Sequence, residues 1–211
     1  GILPAVAQAN DLTDTDLITV THSAVDHNAQ TVELMSVSKA TLCSGKDVYE
    51  KAVSAGVLPE RAYHVPPGAR FKFRDVHVKA LEASHTSISL INGQWITGVP
   101  LSFIIDFGSD GKVFFSGDNA LGFHYRFIGE MYQPDLAILG IGGVMQSGQY
   151  LTELYPDEAA VATRWLNVKA VIPMHYLGSE AEEFQGHLKK EAQDVRLAVM
   201  KAGESVQFSR S

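Results

Sequence analysis

Four short apolar runs in this chain each stop at, or lead to, a side chain that can ligate a metal. Residues 17–21 stop at His22, residues 76–80 run on toward His85, residues 112–116 deliver Gly117-Asp118, and residues 169–174 stop at His175. Short β-branched or alternating runs of this kind are strands. Strand ends along one edge of a sheet converge in space, so the pattern is expected to bring His22, His85, Asp118 and His175 together. Asp26 and His27 follow His22 within five residues and raise the set to four imidazoles and two carboxylates. These are the hard and borderline donors that Zn, Mn or Fe accept. A single histidine at a strand end is an ordinary surface or hydrogen-bonded residue. The coincidence of four strand ends, with Asp26-His27 beside His22, is not something packing requires.

Between these runs the hydrophobic period changes. Val32, Leu34, Met35 and Val37 suit a short helix over 29–39, and a second helix is predicted over 46–55, closed by Gly56. Phe71-Lys72-Phe73 and Val76-His77-Val78-Lys79-Ala80 alternate as half-buried strands do. The runs 101–107 and 112–116 flank Gly108-Ser109-Asp110-Gly111, a hairpin signal because these residues tolerate turn dihedrals. Helices are predicted over 125–132, 156–166 (opening Pro-Asp-Glu) and 181–192, and strands over 136–141, 195–200 and 206–208. Antiparallel strands followed by interleaved helices imply a layered α/β sandwich. No repeat or linker divides the 211 residues, so one domain over 1–211 is expected.

Composition narrows the function classes. Lys and Arg number 17 against 24 Asp and Glu, a formal charge of −7, which argues against a surface built to grip nucleic acid. Mean hydropathy of +0.01 and the absence of a long apolar run point to a soluble chain with no membrane partner. The one cysteine, Cys43, lies in an apolar run, where a buried thiol is expected; with no disulfide to form, a reducing, cytoplasmic location is compatible. The chain opens without Met on small residues, which suggests a trimmed or processed start.

The motifs together resemble the metallo-β-lactamase superfamily. Thr21-His22-Ser23-Ala24-Val25-Asp26-His27 is similar to its His-x-His-x-Asp-His motif, with Ala24 where the second histidine belongs. Ala83-Ser84-His85-Thr86-Ser87, Phe115-Ser116-Gly117-Asp118-Asn119, the segment 134–143 and Val171-Ile172-Pro173-Met174-His175-Tyr176 follow in the matching order. Their phrasing resembles the branch of metal-dependent hydrolases related to L-ascorbate-6-phosphate lactonase. The resemblance runs over about 11–208 and implies an αββα sandwich with one or two divalent ions, Zn or Mn, at one edge. It assigns His22 and His85 to a first metal, Asp26, His27 and His175 to a second, and Asp118 to both. It also implies that Asp26 or Asp118 orients the attacking water or takes its proton.

Two departures bear on this expectation. A methyl at Ala24 cannot bind metal, which leaves a single tightly held ion, a first site completed by water, or an inactivating change. Relatives begin with strands ahead of the region equivalent to Leu3-Pro4, so opening strands are expected to be lacking, and an uncovered apolar edge would invite a homo-oligomer. Beyond Asp118, His124 and Arg126 could hold an anionic group of a small-molecule substrate, or simply begin a helix. Tyr176 could donate into the site or pack, and Trp95 and Met145 could wall a pocket or fill core. Three functions remain: a hydrolase of a small ester, lactone or phosphoester; a phosphodiesterase acting on nucleic acid; and a degenerate relative that binds without turnover.

Overall fold

The computed structural model describes residues 6–146, 149–152 and 154–208, with backbone alone over 143–146 and 149–152. Residues 1–5, with the Leu3-Pro4 region, and the Met145 side chain lie outside the described residues. In chain order the strands are β1 (Leu17–Val20), β2 (Thr41–Ser44), β3 (Ala62–His64), β4 (Arg70–Phe73), β5 (Val76–Glu82), β6 (Ser87–Ile91), β7 (Gln94–Gly98), β8 (Leu101–Asp106), β9 (Lys112–Phe115), β10 (Leu136–Gly140), β11 (Gly143–Gln146), β12 (Gln149–Thr152), β13 (Ala170–Met174) and β14 (Arg196–Leu197). The helices are α1 (Val25–Asn28), α2 (Thr31–Val37), α3 (Lys46–Ser54), α4 (His124–Tyr132), α5 (Pro156–Leu166) and α6 (Glu180–Glu191). The chain divides into two compact units, 1–69 with 80–82 and 86–101, and 70–79 with 83–85 and 102–211.

The first unit is built on a parallel sheet in the order β1-β2-β3. Val20, Leu42 and Ala62 from its strands, Met35 from α2, and Val48 and Ala52 from α3 form one buried apolar cluster. Helix α3 closes at Gly56, which takes the left-handed conformation (φ 98°) that favours glycine, as its sequence predicts. A hairpin, β6–β7, completes the unit. Its two-residue loop, Asn92-Gly93, has both residues at positive φ, the geometry that matches the twist of paired strands.

The second unit carries a mixed seven-stranded sheet in the order β14-β13-β10-β9-β8-β5-β4. Strands β9, β10, β13 and β14 run parallel, while β8 is antiparallel to β9 and β4 to β5. The central β10 reads Leu-Ala-Ile-Leu-Gly without polar alternation because it is covered on both faces. Helix α5 begins at Pro156, and the Tyr155 amide donates to Glu158 at 3.1 Å, so both start signals act. Gly129 of α4 abuts the backbone of Trp165 and Leu166 in α5, where a Cβ would overlap.

Several expectations change. The helix expected over 29–39 forms as α2, Thr31–Val37, and a separate short helix, α1, that the sequence did not mark precedes it, with Gln30 between them outside helical dihedrals (φ −100°, ψ 4°). Strand β2 was not anticipated from its four residues; its pairing with β1 makes it a strand. The strand expected over 195–200 shortens to Arg196–Leu197, the length that pairs with β13, and 206–208 forms no strand. Trp95 fills no core: it is 67% exposed on β7. No helix among the described residues is long and apolar enough to cross a membrane.

Candidate functional site

The metal-capable side chains of the first unit are His22, Asp26 and His27, and those of the second are His85, Asp118 and His175. Each set has an internal scaffold that holds its donors.

In the first unit the chain leaves β1 at Thr21, passes His22 and Ser23, and turns into α1 at Ala24. The Ala24 carbonyl accepts the amides of His27 (3.1 Å) and Asn28 (2.9 Å), and this single turn sets Asp26 beside His27, with Oδ2 3.6 Å from Nε2. The His22 and His27 rings lie 4.2 Å apart between centroids. The Thr21 hydroxyl reaches Nδ1 of both, at 3.1 and 3.2 Å. A hydroxyl has one proton, so at least one of these rings must itself donate from Nδ1. That fixes a tautomer whose Nε2 carries the lone pair a metal needs.

A second network steadies the same loop. The Ser23 amide donates to Ser87 Oγ (3.1 Å), and Ser87 Oγ donates to Asp47 Oδ2 (2.5 Å). Ser23 Oγ donates to the Ile88 carbonyl (2.7 Å) and accepts the Ile88 amide (3.0 Å). Asp47 lies in the first turn of α3 and is fully buried; its Oδ1 makes no hydrogen bond among the described residues. Gly98 lies against that oxygen, and a Cβ at 98 would overlap it.

In the second unit the bend after β9 delivers Asp118, which is 5% exposed. Its Oδ2 lies 3.9 Å from His85 Nε2 and 3.5 Å from His175 Nε2, so one carboxylate faces both imidazoles. His175 is a non-glycine residue at φ 62° just past β13, and its Nδ1 meets the Gly142 carbonyl at 3.0 Å. A carbonyl only accepts, so Nδ1 carries the proton and Nε2 keeps the lone pair that could meet a metal. Gly142 allows this approach, since a Cβ there would overlap the His175 carbonyl. The His85 segment is pinned where the Ser84 amide donates to Asn119 Oδ1 (2.8 Å) and the Ala120 amide to the Ser84 carbonyl (3.2 Å). Asn119 Nδ2 donates in turn to Ser102 Oγ (3.1 Å), which donates to the Ser116 carbonyl (2.6 Å). The donor chemistry of both sets, imidazoles with a lone pair and carboxylates, fits a divalent ion.

The expected substrate contacts fall in the second unit with different surroundings. His124 opens α4; burial holds its imidazole below the usual range, and its Nε2 is buried without a hydrogen bond among the described residues. Arg126 is exposed and pairs with Glu130 at 2.8 Å, one turn on. The Tyr176 hydroxyl donates to the Met200 carbonyl at 3.3 Å. Tyr125, fully buried, donates to the Asn119 carbonyl at 3.1 Å; burial and the nearby Asp118 carboxylate push its phenol well above the ordinary range. Thr21, Asn119 and the Asp47-Ser87-Ser23 chain were not anticipated from the sequence, where hydroxyls and amides carry no distinguishing spacing.

Residues 2–176 match the pattern of the Beta-lactamase superfamily domain. A UPF0173 metal-dependent hydrolase of Methanopyrus kandleri is 31% identical over 209 residues, covering 96% of this chain and 86% of that one. Another, from Rubrobacter xylanophilus, is 35% identical over 201 residues, covering 92% and 79%. Among solved structures, Igni18, a metallo hydrolase from the archaeon Ignicoccus hospitalis, matches with a TM-score of 0.76 at 27% identity over 93% of this chain and 80% of that one. The isothiocyanate hydrolase from Delia radicum gut bacteria gives 0.74 at 13% identity over 97% and 80%, a likeness of fold alone. The α/β sandwich, with its mixed sheet and flanking helices, is the architecture these proteins share.

Proposed function

Because the chain belongs to the metallo-β-lactamase superfamily, in its UPF0173-like branch of metal-dependent hydrolases, we propose that it hydrolyses a small ester, lactone or phosphoester. The observation that carries this reading is Asp118, a buried carboxylate facing His85 and His175 with a single oxygen. In the proposed assignment His22, His85 and Asp118 hold one ion, and Asp26, His27, His175 and Asp118 hold another, with Zn or Mn as the metal. When bound, such ions lower the pKa of a coordinated water and polarise the electrophilic oxygen of the substrate. Asp26 orients the attacking water or takes its proton, with Asp118 as the alternative acceptor. His124, whose burial disfavours the charged imidazole, would hydrogen-bond a leaving group rather than act as a fixed cation. Arg126 would exchange Glu130 for an anionic group of the substrate, and Tyr176 would turn from Met200 toward it.

A second reading rests on Ala24. With one imidazole fewer in the first set, the chain binds a ligand without turnover. Metal content per chain by plasma mass spectrometry, after purification without added metal and after reconstitution with Zn or Mn, tests the assignment. A panel of nitrophenyl esters, lactones and phosphodiesters tests turnover. One or two retained ions with metal-dependent cleavage are expected. Retained metal with no cleavage, or no metal under either condition, would remove the hydrolase reading and leave the binding one.

A further inference from the structure

The hairpin β4–β5 concentrates positive charge on one face. Arg70 is the cross-strand partner of Lys79, and Lys72 of His77, while Phe71, Phe73, Val76 and Val78 take the alternate positions. Like charges directly opposite each other destabilise an antiparallel pair. The register therefore sets two basic pairs on one face of a chain whose overall charge is −7. Arg70, His77 and Lys79 also line a cavity of about 260 Å³ that Lys112 enters from the start of β9. Lys112 is held in place by the Tyr132 carbonyl (3.2 Å) and by Asp106 (4.0 Å). Three permanent cations thus surround the cavity against one carboxylate, Asp106. Buried Ile104 gives it an apolar floor. None of these residues is a candidate metal ligand. Lys112 begins β9 whereas Asp118 follows the bend beyond its other end.

We propose that this cavity is a binding site for a small phosphate-type anion, separate from the metal ligands. A volume below the ~300 Å³ at which pockets for larger organic ligands begin favours a compact anion. Arg70 supplies the planar fork suited to two phosphate oxygens, Lys79 and Lys112 supply point charges, and the low-dielectric floor strengthens all three. An anion bound to the native cavity alone would stabilise the fold by linkage.

Titration calorimetry of the full chain with inorganic phosphate, after chelation so that no metal can hold the ion, tests this at low ionic strength. Saturable binding at one site is expected, weakened about tenfold or more by the pair Arg70→Ala and Lys79→Ala. A control pair on α6, Lys189→Ala and Lys190→Ala, removes the same charge and should change it less than about twofold. In wild-type protein the amide resonances of Val78, Lys79 and Lys112 should shift with phosphate, a readout that does not depend on any variant folding. Absence of saturable binding, equal loss in both pairs, or shifts elsewhere would overturn the proposal. So would a single-stranded oligonucleotide that outcompetes phosphate with a steep salt dependence, which would make the face a nucleic-acid surface instead.

Discussion

Ala24 caps α1 with non-helical dihedrals (φ −56°, ψ 149°) and contributes only its carbonyl to the turn. A side chain can therefore change there without breaking the bonds that place Asp26 and His27. Ala24→His is expected to add up to one ion per chain or to tighten the weaker site by about tenfold, read by plasma mass spectrometry and chelator competition. Unchanged stoichiometry and affinity would falsify the view that Ala24 limits the site. Asp47 is the buried anchor of the loop that carries His22, since it holds Ser87 and Ser87 holds the Ser23 amide. Asp47→Ala should cost about 1–3 kcal/mol in urea unfolding, because the buried Ser87 hydroxyl loses its acceptor. It should also weaken metal binding by about 10–100-fold, as loss of an outer-shell partner does; metal affinity equal to wild type would show that the network serves the fold alone. Burial pushes the Cys43 thiol up to about 11 from an ordinary 9.0. The native state favours the protonated form, so this contribution is complete below pH ~9 and is lost as pH rises toward ~11. Cys43→Ala should flatten that alkaline decline, and native protein should resist iodoacetamide at pH ~8 while unfolded protein reacts. His22, His85, Asp118 and His175 were legible as residues that follow strands. Thr21 and the Asp47-Ser87-Ser23 chain were not, because Ser87 lies 64 residues from Ser23 and 40 from Asp47 and nothing local marks the three as partners.

At the scale of elements, the most constrained packing is α4 on α5. Gly129 brings its backbone against Trp165 and Leu166, so Gly129→Ala should force the helices apart. The expected loss is about 1–3 kcal/mol, despite the gain in helix propensity. Chemical unfolding checks it, and a neutral or stabilising result would mean that the helices can separate without cost. Elements with their own punctuation were readable: α3 ended by Gly56, α5 opened by Pro156, and the strands flanking 108–111. Asn92-Gly93 carried the same kind of signal for β6–β7 and went unread, although a two-residue loop of this composition between apolar runs specifies a hairpin. Strand β2 and the division between α1 and α2 had no such marks. Thr41-Leu42-Cys43-Ser44 is extended because β1 and β3 offer it hydrogen bonds on both sides.

For the whole molecule, metal and stability are linked. An ion bound by the native state alone raises stability by about 2.7 kcal/mol at a hundredfold excess over its dissociation constant. Chelation should therefore lower the melting temperature, and Zn or Mn should restore it in proportion to the logarithm of concentration; a midpoint indifferent to both would argue against a bound ion. Local chemistry alone determined much of this protein. Alternation and β-branching located most strands, caps and breakers located the main helices, and the order of the His and Asp motifs indicated the family, because each signal depends on neighbours within a few residues. Tertiary structure decided the rest: which strands pair, that Asp118 faces both His85 and His175, which tautomer Gly142 imposes on His175, and that Arg70, Lys79 and Lys112 share one cavity. Those facts depend on contacts between residues far apart in the chain, and the period of a sequence carries no record of which distant residue will supply the partner.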